Sequence, residues 1–122
     1  VAGGSLKLAN ATAIAMGANS LTFSNTTLDT IGGNITGTAP FTKAGNGVLT
    51  LTGASTFSGD KIINAGAINI QNVNALGTSG NITVNTGGAI QFQGVGPFTR
   101  PITINGTGVS NTGAIRNISG SV

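Results

Sequence analysis

The 122-residue chain contains no cysteine, histidine, glutamate, tryptophan or tyrosine. Without Cys and His, no thiolate–imidazole set can hold zinc, and no disulfide framework holds the fold. A Ser-His-Asp triad cannot form. Charge is almost as scarce: Lys7, Lys43, Lys61, Arg100, Arg116, Asp29 and Asp60 are the only charged side chains. The net charge is +3 and the pI near 10.3. The five basic residues are scattered, so the sequence shows no basic patch of the kind that binds nucleic acid. No apolar run approaches the ~20 residues of a membrane helix, which argues against membrane insertion of this segment. No signal-peptide pattern opens the chain. It starts at Val1, not Met, directly in strand-like sequence, which is expected of a processed or excised piece of a longer chain. The lack of Cys suits an exported protein that uses no disulfides as well as a cytosolic one.

Gly, Asn, Ser and Thr make up about half the chain, yet 39% of residues are hydrophobic. Disorder goes with low hydrophobicity and high net charge, so this composition can support a core. One short unit recurs: a small residue, a spacer, an aliphatic residue, a polar residue and another apolar residue. It reads GSLKL (Gly4 to Leu8), NSLTF (Asn19 to Phe23), GVLTL (Gly47 to Leu51), GAINI (Gly66 to Ile70) and GAIQF (Gly88 to Phe92). A degenerate copy is GAIRNI (Gly113 to Ile118). The first aliphatic residues are spaced by 15, 28, 19, 22 and 25 residues. A second short strand usually precedes the unit, as in AIAM, KIIN, NITVN and PITIN. Alternation with period 2 is the strand signal. Asn-Gly at 46–47 and 105–106, and Gly-Gly at 32–33 and 87–88, supply the turn chemistry between runs. No window keeps helical apolar spacing over three turns.

Two all-β architectures fit: a sandwich or barrel of hairpins, or a β-solenoid of stacked coils. Three observations favour the solenoid. Each strand offers only two inward residues, too few for a sandwich face. Similarity returns at coil length. Asn, Ser, Thr and Gly recur at equivalent turn positions. The expectation is an all-β, right-handed parallel β-helix of about six coils of roughly 20 residues, forming a single segment over residues 1–122. One apolar column would hold Leu6, Leu21, Leu49, Ile68, Ile90 and Ile115. A second would hold Leu8, Phe23, Leu51, Ile70 and Phe92.

Residues 41–70, FTKAGNGVLTLTGASTFSGDKIINAGAINI, resemble the autotransporter-associated β-strand repeat of bacterial surface proteins. Thr42 and Lys43 match its opening, Gly45 and Gly47 its Gly pair, and Leu49, Leu51 and Gly53 its first strand. Phe57 and Gly59 match its aromatic-x-Gly turn, and Gly66, Ile68 and Ile70 its closing strand. Phe41 stands where Leu is usual, and Ser55 where Asn is usual. The segment Ile102 to Gly120 is similar to what commonly precedes such a repeat. The resemblance implies a right-handed parallel β-helix in the passenger of a secreted or surface-displayed bacterial protein, normally part of a much longer chain. The turn glycines of the motif are then Gly45, Gly47, Gly53, Gly59 and Gly66.

Chemistry is thin. Asp29 and Asp60 are the only carboxylates, so a polysaccharide-cleaving reading has one pair to work with. A Ca²⁺-binding nonapeptide would need Asp after Gly-x-Gly; GGNITG and AGNGV lack it. GTGVSNTG lacks the Lys of a phosphate loop. No metal ligand set, cofactor site or catalytic group is expected. Six Asn-x-Ser/Thr sequons occur, at Asn10, Asn25, Asn34, Asn81, Asn105 and Asn117. Phe98 and Arg100, in GVGPFTRP, are the candidate partner contacts. The leading expectation is therefore a non-catalytic stalk or fibre segment outside a bacterial cell, with partners that are other copies or adjoining repeats, joined end to end or laterally. An adhesin module that contacts glycan or host protein through loops is the alternative, and an enzyme dependent on Asp29 or Asp60 the third.

Overall fold

The computed structural model describes Lys7, Leu8 and residues 13–122. Thirteen short strands follow one another among these residues: β1 (Lys7–Leu8), β2 (Ile14–Ala15), β3 (Leu21–Ser24), β4 (Leu28–Ile31), β5 (Ile35–Thr36), β6 (Phe41–Ala44), β7 (Val48–Leu51), β8 (Lys61–Ile63), β9 (Gly66–Ile70), β10 (Ile82–Val84), β11 (Gly88–Gln93), β12 (Thr103–Ile104) and β13 (Ile115–Ser119). A single 3₁₀ turn at Val109–Asn111 is the one helical element among the described residues.

Among the described residues every strand pair is parallel. The long sheet runs β1-β4-β7-β9-β11-β13, the second runs β3-β6-β8-β10-β12, and a two-stranded third wall pairs β2 with β5. The chain thus winds as a β-solenoid of about five turns, with a stack height of roughly 25 Å at the usual strand spacing. The third wall keeps its backbone ladder after the strands end: Thr56 and Phe57 N–H both donate to Ile35 O, and Ser58 N–H donates to Gly37 O.

Period-2 alternation drives the inward residues into columns. In the long sheet one column is Asp29, Leu49, Ile68, Ile90 and Ile115. Its neighbour is Leu8, Ile31, Leu51, Ile70 and Phe92, at intervals of 23, 20, 19 and 22 residues. Leu49, Leu51, Ile68, Ile70, Ile90 and Phe92 are all buried. Ile115 keeps register with Ile90 but is 44% exposed, because it ends the stack.

Leu21 and Phe23 correct the expected columns. They lie in β3 of the second sheet, in register with Phe41 and Lys43. Their place in the long sheet belongs to Asp29 and Ile31 of β4. Leu-Thr-Phe alternates as well as the true member does, and the inward Asp29 hides β4 from an apolar template. Leu6 lies outside the described residues.

The five motif glycines explain how tightly the coils stack. A β-carbon at Gly45, Gly47, Gly53, Gly59 or Gly66 would come within 2.5 Å of a backbone oxygen of the adjacent coil. Gly45 and Gly66 also hold φ of +77° and +64°, which side chains resist.

Candidate interaction surfaces and internal cation clamps

The basic residues of the second sheet point inward. Lys43 follows Phe23 in one column, and Lys61 follows Phe41 in the next. Both lysines are 0% exposed. A buried ammonium needs acceptors, and the turn carbonyls provide them. Lys43 Nζ donates to Ala44 O (2.8 Å), Gly45 O (2.7 Å) and, on the next coil, Ala65 O (3.2 Å). A β-carbon at Gly66 would sit 2.9 Å from this Nζ, so that glycine also makes room for the amine. Lys61 Nζ donates to Phe57 O (3.3 Å), Gly59 O (2.6 Å) and Ser79 O (2.5 Å). It also lies 4.2 Å from the centre of the Phe57 ring, within cation–π range. Burial lowers both amines to about 8. Asp29 opposes the shift at Lys43. At Lys61 the Arg100 charge adds to it and Asp60 opposes it.

Arg100 acts in the same way from the last coil. Its guanidinium donates to Leu76 O and Gly77 O at 3.0 Å each, to Ser79 O at 2.7 Å, and to Gly80 O. Burial lowers its pKa. Phe98 is half-buried, with its ring 5.0 Å from that of Phe92. The two candidate contact residues therefore have structural occupations: one straps a turn, the other packs on the core. Both line a groove of about 210 Å³ with Val73, Asn74, Thr78 and Thr99.

Three of the five basic side chains are thus clamps for backbone carbonyls, which accounts for a high pI without a basic surface. Sequence reasoning missed this. The signal was Lys43 and Lys61 at inward positions of alternating strands.

One carboxylate is inside the core and the other is on the surface. Asp29 is 1% exposed within the core and accepts from Thr27 Oγ1 at 3.3 Å. Asp60 is exposed and accepts from Asn81 N–H at 2.8 Å. Among the described residues no three His, Cys, Asp or Glu side chains cluster as a metal site. Asn25 is buried with its Nδ2 donating to Thr27 O and Val48 O, which takes that sequon out of reach of a glycan.

Two outer surfaces remain. On the second sheet one column is Thr22, Thr42, Ile62, Thr83 and Thr103, and the next is Ser24, Ala44, Asn64, Asn85 and Asn105. The asparagines form an amide ladder: Asn85 Nδ2 donates to Asn64 Oδ1 (2.8 Å) and Asn105 Nδ2 to Asn85 Oδ1 (2.9 Å). On the long sheet Asn69 Nδ2 donates to Gln91 and Gln93, and Gln71 donates to Gln93. The second surface is the C-terminal end of the stack. Ile104 and Ile115 close their columns there at 43% and 44% exposure. A cavity of about 250 Å³ opens beside them, lined by Phe92, Phe98, Arg100, Ile102, Ile115 and Val122.

A parallel β-solenoid with polar ladders outside, filled columns inside and an apolar open end defines the class: a repeat scaffold. The repeat itself is recognised in residues 41–70, which match the family model described as passenger-associated-transport-repeat. Over 66 residues, 53% of the chain, the sequence is 41% identical to the adhesin BmaC autotransporter of Brucella suis biovar 1 (strain 1330). The match spans 2% of that adhesin's length. No solved structure matches the chain significantly. The chain therefore carries an autotransporter passenger repeat, and its location is secreted, at the cell surface. No helix among the described residues is long and apolar enough to cross a membrane.

Proposed function

We propose that this segment is a non-catalytic shaft: a β-solenoid spacer in the passenger of a surface adhesin, coupled end to end to further coils. The observation that carries the reading is the pair of core columns that end, still apolar and in register, at Ile104 and Ile115. A coil buries its apolar side only against the next one. Backbone edges of β12 and β13 face the same way, and unpaired edges accept strands. Adjoining repeats or a second copy supply the matching coil. The nearly uncharged flank suits a surface that holds distance rather than a ligand.

A second reading has one observation in its favour, the groove between Phe98, Arg100 and Val73. In it, the segment grips a glycan or host protein at that groove. Glycan-array and extracellular-matrix binding with the 122-residue chain separates the two. The shaft reading expects no signal above background. A reproducible signal that is lost in Phe98→Ala, with the fold intact by circular dichroism, overturns it in favour of a binding module.

A further inference from the structure

We infer that Asn105 is a site of spontaneous deamidation in the folded protein, and that stacking protects the other Asn-Gly pair, Asn46-Gly47. The chemistry is internal to the chain. The backbone nitrogen of the following residue attacks the asparagine Cγ. The new Cγ–N bond closes a five-membered succinimide, the Cγ–Nδ2 bond breaks, and the attacking N–H proton leaves with the nitrogen as ammonia. Water then opens the ring at either carbonyl, giving aspartate or its β-linked isomer. Glycine favours the step because it has no β-carbon to hinder the approach and turns freely.

The two pairs differ in what holds that nitrogen. Asn46 is exposed, but Gly47 is buried, and its N–H donates to Asn25 O at 2.9 Å. The Gly47 α-carbon is pressed on the coil beneath: a β-carbon there would meet Thr27 O at 2.2 Å and Thr27 N at 2.6 Å. Turning Gly47 N toward Asn46 Cγ means breaking that bond and lifting the turn off its neighbour. Asn105 lies on the last coil and is exposed, and Gly106 is half-buried against Thr86. The Gly106 N–H makes no hydrogen bond among the described residues. The step at Asn105 requires release of one solvent-exposed side-chain bond, Asn105 Nδ2 to Asn85 Oδ1.

The product matters for the ladder. A carboxylate at position 105 has no donor for Asn85 Oδ1 and sets two acceptors face to face. The β-linked isomer also adds a backbone atom between β12 and the 106–113 loop. Either product places a negative charge beside Ile104, at the open end. Interference with end-to-end coupling would rest on the shaft reading; the deamidation itself does not.

The test is incubation of the intact chain at mildly alkaline pH, native and in urea, followed by ion exchange and peptide mapping. The expected native result is one acidic species that maps to Asn105, with Asn46 slower by about tenfold or more, the factor a lost buried hydrogen bond imposes. In urea the gap closes. Asn105→Gln, which keeps an amide donor, removes the acidic species. Equal native rates at the two sites, no native conversion while both convert in urea, or a gap that survives urea unchanged would each overturn the inference.

Discussion

At the scale of the residue, glycine position decides more than glycine content. Gly59 belongs to a turn laid directly on the coil beneath, and a β-carbon there would lie 2.0 Å from Ala39 O. Gly96 sits in the loop before Phe98, and a β-carbon would meet nothing within 4 Å. Gly59→Ala is expected to cost about 3 kcal/mol of stability, at the upper end of overpacking penalties. Gly96→Ala is expected to stay within about 0.5 kcal/mol of the parent. Urea melts of the two variants, read at constant slope, check the pair. Similar midpoints would mean that the coils are looser than the contacts of Gly59 imply.

At the scale of the element, the strands were legible, and the wall of one of them, NSLTF, was not. GVLTL, GAINI and GAIQF became β7, β9 and β11, because strict alternation and a leading glycine leave one way to bury the aliphatic residues. NSLTF became β3 of the second sheet. Alternation says which residues face inward but not which wall they belong to, and an inward Asp29 disguised the true partner. The clamps were hidden for a related reason. An inward lysine is a defect by pattern, and it becomes acceptable only once the turn carbonyls are placed around it. Lys43 and Lys61 join each strand corner to the coil above, and their lowered pKa gives the joint a pH signature. Both amines titrate near 8 in the folded chain, against 10.5 as the ordinary value. Between these values the unfolded chain binds more protons, so stability should rise with pH across that window and be flat below it. Thermal melts from pH 7 to 10 should show the midpoint climbing, and Lys43→Met with Lys61→Met should flatten the climb. A midpoint that falls over the same range would mean that the carbonyls hold the ammonium more strongly than burial opposes it.

At the scale of the whole molecule, the stack carries its apolar columns from coil to coil and exposes their last members at one end. Ile104 and Ile115 are left 43% and 44% exposed, the cavity at this end is lined by five apolar side chains and Arg100, and the asparagine ladder ends at Asn105. Covering the part of either isoleucine that is still exposed, a little under half of it, is worth about 1 kcal/mol, the matching share of the gain for a whole side chain, and pairing β12 and β13 satisfies a row of backbone groups besides. Repetition in the sequence pointed to such stacking. It could not show where the columns end, since Ile115 reads like any other rung. Sedimentation velocity of the 122-residue chain over a wide concentration range tests the central claim most directly. The account predicts a sedimentation coefficient that grows with concentration, and an Ile104→Lys, Ile115→Lys double variant that stays at the monomer value with its fold intact. A parent chain that remains a single monomeric species at every concentration would contradict it.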